Sequence, residues 1–92
     1  MKLVVEFLGL SRRLAQVRHS SLELDEHATF RDALERIARS FPALVGPVIV
    51  PQTFDLVPSQ ILLVDGRHAV TDLDSCPRDG QRLILMFAEA GG

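Results

Sequence analysis

Residues 61–92 read ILLVDGRHAVTDLDSCPRDGQRLILMFAEAGG, and the order of signals in this stretch decides the fold. Gln60 to Val64 is apolar and bounded by turn residues, so it predicts a strand. Asp65-Gly66 predicts a tight turn, because glycine takes positive φ without steric cost. Arg67 to Val70 then returns as a short strand. Asp72 to Pro77 is a polar connection around Leu73, and Asp79-Gly80 is a second turn. Arg82 to Phe87 (RLILMF) is the last strand. Residues 88–92, Ala88-Glu89-Ala90-Gly91-Gly92, follow as a flexible tail.

Working backwards, the strongest helical signal lies upstream. Phe30, Ala33, Leu34, Ile37, Ala38 and Phe41 recur at helical spacing and make one apolar stripe. Thr29 is a good N-cap, with Asp32 three residues on in a capping-box-like arrangement. Pro42 stops the helix. Residues 2–8 (KLVVEFL) predict a first strand, with Val4, Glu6 and Leu8 on one face and Leu3, Val5 and Phe7 on the other. Leu10 to Gln16 is a connection with room for a short helical turn. Val17 to Leu24 predicts a second strand, antiparallel to the first.

Residues 42–59 are irregular. Pro42, Pro47, Pro51 and Pro58 break regular structure, yet Val48-Ile49-Val50, Phe54, Leu56 and Val57 are too apolar for a free loop. This segment is expected to pack back onto the domain or onto a second subunit. The element order is therefore β-β-α-β-(short β)-β. A single main helix needs a sheet face to cover. The expected fold is α+β, a β-grasp: a mixed four- to five-stranded sheet with the helix on one face and the first and last strands parallel at its centre. Residues 1–92 make one such domain.

Composition sets the limits. The 92 residues are 47 % hydrophobic and 24 % charged, which is a globular balance. Aromatics are 5 %, all Phe, so no Tyr or Trp base-stacking surface is available. The net charge is −2, about +1 over residues 1–46 and −3 over 47–92, and no basic footprint for nucleic acid stands out. The start, MKLVVEFLGLSRRL, lacks the apolar core of a signal peptide, and no apolar run reaches membrane-spanning length. Cys76 has no internal partner, which fits a reducing compartment. The expectation is a soluble cytoplasmic chain that engages neither nucleic acid nor membrane.

Side-chain catalysis finds little support. His19, His27 and His68 lie far apart with no metal-ligand spacing, and no metal site is expected. No phosphate loop, nucleophile elbow or dinucleotide fingerprint is present. Asp72 and Asp74 read as turn formers, and Cys76 as an ordinary thiol. The chemically suggestive place is the end. A chance terminal Gly-Gly has odds of roughly one in two hundred. A frayed end is the bland reading. In the other reading the Gly92 carboxylate is the reactive group. Residues without a Cβ let the backbone enter a narrow cleft and approach reacting groups closely.

The stretch from Ile61 to Gly92 resembles the C-terminal half of ubiquitin-like sulfur carriers: strand, Gly66 turn, Leu73 connection, Asp79-Gly80 turn, strand, Gly91-Gly92. The strand KLVVEFLG and the helix after Thr29 fit the same plan. The likeness is greatest to the small subunit of molybdopterin synthase and its relatives, including the thiamine-pathway carrier. Where that family often has prolines, this chain reads Phe87-Ala88-Glu89-Ala90, so the tail is expected to be less stiff and Glu89 adds a charge. The resemblance implies a carrier or non-catalytic subunit rather than an enzyme. It implies that an adenylating enzyme of the ubiquitin-activating type uses ATP and Mg²⁺ to activate Gly92, and that no cofactor stays bound to the chain. Sulfur transfer then gives a thiocarboxylate. The tail would enter the large catalytic subunit of molybdopterin synthase, or another sulfur acceptor enzyme, with Gly91 supplying clearance.

Partner docking is expected beside the tail. If Leu83, Leu85 and Phe87 face the helix, Ile84 and Met86 face outward, and Leu63 on the neighbouring strand joins them. Phe87 and Glu89, at the root of the tail, would also meet a partner. The competing expectation is that residues 42–59 cover this face. Two other functions use the same terminus: a ubiquitin-like modifier conjugated through Gly92, and a sulfur carrier for thiamine or cysteine biosynthesis. A β-grasp interaction module with incidental glycines is the remaining alternative.

Overall fold

The computed structural model describes residues 1–88. The chain runs β1 (Lys2–Phe7), α1 (Leu10–Ala15), β2 (His19–Glu23), α2 (Phe30–Ser40), a 3₁₀ turn (Pro42–Leu44), β3 (Gln60–Val64), β4 (His68–Ala69) and β5 (Arg82–Phe87). The five strands form one sheet in the order β2-β1-β5-β3-β4. β1 and β5 are parallel at its centre, and the other pairings are antiparallel. This is the mixed β-grasp sheet expected from the sequence.

Local chemistry explains the punctuation. The Thr29 hydroxyl accepts from the Asp32 amide at 3.1 Å, and the Asp32 carboxylate accepts from the Thr29 amide at 2.9 Å. This reciprocal cap satisfies two donors that a helix start leaves open, worth about 1 kcal/mol. Asp65 and Gly66 both take positive φ, 53° and 69°, inside a three-residue connection (residues 65–67) that the Arg67 amide closes on the Val64 carbonyl at 3.1 Å. β4 is shorter than the predicted Arg67–Val70, because it pairs only through Leu63–Ala69 and Val64–His68. β2 likewise begins at His19 and not at Val17. Gln16 closes α1 in the left-handed region, so the chain is still turning there.

Alternation along the strands sorts the two faces. Leu3, Val5 and Phe7 of β1, Leu22 of β2, Leu62 of β3, and Leu83 and Leu85 of β5 are buried on one face. Against them pack Phe30, Ala33, Leu34, Ile37 and Ala38 of α2. Each large apolar side chain buried here contributes about 1.5–3 kcal/mol of transfer free energy. The Phe7 and Phe41 rings meet edge to face with centroids 5.1 Å apart.

The proline-rich segment joins this core. Leu44, Val48 and Ile49 are fully buried in the same cluster. Ile49 forms single bridges to Val45 and Leu56, so the segment is tied by backbone pairing without becoming a strand. It therefore packs on the helix side of the sheet, back onto its own domain, and does not cover the opposite face.

Candidate functional site

The candidate site is the end of β5 and the sheet face beside it. β5 lies between two strands, so both of its backbone edges are occupied. The Leu85 carbonyl accepts from the Leu8 amide at 3.1 Å and from the buried Ser11 hydroxyl at 2.8 Å. The Ala88 amide donates to the Ser59 carbonyl at 2.8 Å, which carries the β3–β5 pairing one residue past the strand. The expected tail of residues 88–92 is thus held at its first residue. Glu89, Ala90, Gly91 and Gly92, and the roles read for them in the sequence, lie outside the described residues.

The outer face carries the side chains that alternation assigns to it. Ile84 and Met86 point away from the helix and are half-buried. Leu63 sits opposite Ile84, and Ile61 opposite Met86. Residues opposite one another across an antiparallel pair share a face, so these four side chains form one apolar patch. Its border is charged: Arg82 and Glu6 approach to 3.7 Å, an exposed pair that contributes little to stability. The β3–β4 turn closes another side, since the Ile84 Cδ1 lies 3.9 Å from where a Cβ on Gly66 would stand.

Phe87 corrects one expectation. Alternation carried to the strand end sets it with Leu83 and Leu85 against the helix, but it is 53 % exposed, while both leucines are fully buried. The alternation holds to Leu85 and then outruns the core. Phe87 is the last residue of the strand, and no described residue covers its ring. Its strand partner Gln60 is buried, with both side-chain amide atoms unpartnered among the described residues.

Ile61 was missed in the sequence. Counting two residues back from Leu63 places it on the same face, so the signal was present. The other polar candidates do not converge. His19 and His68 lie on strands at opposite edges of the sheet. Among the described residues no group of three or more His, Cys, Asp or Glu could hold a metal ion. Asp72 accepts from the Asp74 amide at 3.0 Å and Asp79 from the Lys2 amide at 2.6 Å, so both acids organise backbone. Cys76 is exposed, its sulfur 3.7 Å from the His27 carbonyl oxygen. No described helix is long and apolar enough to cross a membrane.

No protein-family model and no curated protein sequence matches the chain. Solved structures do. The chain is similar to SAMP1 from Haloferax volcanii, with a TM-score of 0.84, 24 % identity and all of both chains covered. It is similar to a protein from Pyrococcus furiosus assigned as molybdopterin converting factor, subunit 1, with a TM-score of 0.73 and 26 % identity over 91 % of this chain and 93 % of that one. A third likeness is to one chain of a protein–protein complex of subunits 1 and 2 of the molybdopterin-converting factor from Helicobacter pylori, with a TM-score of 0.60, 16 % identity, and all of this chain and all of that one covered. The architecture of the sheet, the placing of α2 and these likenesses agree: this chain has the ubiquitin-like β-grasp fold.

Proposed function

We propose that the chain is a sulfur carrier that works through the carboxylate of Gly92, as the small subunit of a molybdopterin synthase. The carboxylate attacks the α-phosphorus of ATP on an activating enzyme and releases pyrophosphate. Sulfur at the sulfide level then attacks the acyl carbon and displaces AMP, leaving a thiocarboxylate for a large catalytic subunit to use. One juxtaposition supports this reading. In the sequence Gly91-Gly92 follow closely on the central strand β5, the end of that strand is pinned by α1 and Ser59, and the half-buried apolar patch of Ile61, Leu63, Ile84 and Met86 lies beside it. Such a patch suits docking on successive partners, and Met86 suits surfaces of different shape.

The test is intact-mass analysis of the chain produced with an adenylating enzyme of the ubiquitin-activating type. The expected product carries sulfur in place of one oxygen at Gly92. Deleting Gly92 is expected to abolish that product with the thermal midpoint unchanged, since the buried core lies within residues 3–85. The second reading is a protein modifier, supported by the likeness to small archaeal modifier protein 1 of Haloferax volcanii. It predicts an unchanged mass together with lysine conjugates in lysate.

A further inference from the structure

No acidic residue occurs between Glu6 and Glu23, although the chain as a whole carries a net charge of −2. Within that interval Arg12, Arg13 and Arg18 surround an open cleft of about 650 Å³, completed by Gly9, Gln16 and Val17. All three arginines are exposed, and none forms an ion pair among the described residues. Of the other arginines, Arg31, Arg39 and Arg82 each lie against a carboxylate, and Arg36, Arg67 and Arg78, which form no ion pair among the described residues, do not line this cleft. Val17 is 40 % exposed, so the cleft also offers an apolar contact.

The platform is tied to the sheet by hydrogen bonds on both sides. Ser11 of α1 is fully buried and donates to the Leu8 and Leu85 carbonyls at 3.0 and 2.8 Å. The Phe7 amide donates to the Arg18 carbonyl at 2.8 Å, which fixes the other side of the cleft to the end of β1. β1 runs parallel to β5, so both strands finish at the same end of the sheet. Leu85, which holds α1, is two residues before the end of β5. The guanidinium groups therefore stand at the end of the sheet where β5 finishes.

We propose that the Arg12–Arg13–Arg18 cleft docks an acidic surface segment of the protein that takes up the tail. Three clustered guanidinium groups attract carboxylates and orient them through paired N–H donors. Their main effect is on encounter and orientation, which is strongest at low ionic strength. This proposal rests on the carrier reading for the identity of the partner, and on the cleft alone for its chemistry.

Two experiments test it. In the first, the full ¹⁵N-labelled chain is titrated with a hexaglutamate peptide at low salt. Backbone resonances from Arg12 to Arg18 are expected to shift, and to shift less as the ionic strength rises to about 0.15 M. Absence of shifts there overturns the proposal. So does a stronger response at the same residues to ATP or to a single-stranded oligonucleotide, which would make the cleft a nucleotide or nucleic-acid site. In the second, the R12E/R13E/R18E variant is assayed as a substrate of the adenylating enzyme. Its KM is expected to rise about tenfold at low salt, with kcat little changed. The R12K/R13K/R18K variant is expected to recover most of the loss, which a folding defect would not explain. Adenylation with an unaltered KM overturns the docking surface and leaves the carrier reading standing. No adenylation of the parent chain overturns the carrier reading, while the peptide titration still judges the cleft.

Discussion

Arg31, in the first turn of α2, donates from Nε to Asp74 Oδ1 at 2.9 Å and holds Asp55 with the same guanidinium. Its Nη1 also donates to the Thr53 carbonyl at 2.9 Å. One side chain thus ties the helix start to the irregular segment before β3 and to the connection before β5. Two backbone bonds, from the Phe30 amide to the Ser75 carbonyl and from the Arg31 amide to the Leu73 carbonyl, reinforce the second link.

Hydrogen bonding from Arg31 holds the Asp55 carboxyl below the usual carboxylate range. The unfolded chain therefore takes up this proton at higher pH than the folded chain does. The stability supplied by the ionised group is fully present above the unfolded value, and it is lost as pH falls through the lower folded value. Asp55→Asn is expected to lower the urea midpoint at neutral pH and to flatten its decline below about pH 4. Urea titrations of both chains between neutral and acidic pH measure this. Equal slopes for the two chains would contradict it.

Gln60 gives a prediction of opposite sign. Its amide is buried and unpartnered among the described residues, at a position flanked by the core. Gln60→Leu keeps the volume and removes the desolvation cost, so it is expected to stabilise the chain by about 1 kcal/mol. Chemical denaturation is the measurement, and a lower midpoint would show that the amide contributes to the fold.

How far the sequence carried depended on the kind of residue. Thr29 and Asp32 announce the start of α2 because a cap uses side chains four positions apart at most, which a sequence displays directly. Asp65-Gly66 is legible for the same reason. Segment 42–59 resisted because its structure is tertiary: Leu44, Val48 and Ile49 are placed by the core they enter, and prolines hide any period. The face of Ile84, Met86 and Leu63 followed from alternation, but whether it lay open depended on where that segment went. Phe87 misled because alternation says which way a side chain points and not where the core ends.

Ser11 offers a local test of how α1 is anchored. Ser11→Ala removes the donor to the Leu85 and Leu8 carbonyls but leaves the Leu8 amide on Leu85. The expected cost is about 1 kcal/mol. Faster amide exchange confined to Leu10–Ala15 is the accompanying sign, read by hydrogen exchange.

The apolar face is tested by charge. Ile84→Asp places a carboxylate in the patch shared with Leu63 and near Glu6, its partner across β1. The adenylation KM is expected to rise by about tenfold or more, because an unpaired charge would be desolvated on docking. Circular dichroism checks that the sheet persists. A folded variant with parental KM would remove this face from the partner interface.

The parallel pairing of β1 and β5 has a practical side. Lys2 is the sole lysine, it is exposed, and it opens β1 at the end of the sheet from which β5 runs away. Amine-directed chemistry at its Nζ, whether a fluorophore, a biotin or a resin, therefore marks the pole opposite the arginine cleft. A chain tethered there to a sensor chip presents the strand exit to the solution, oriented by its own topology.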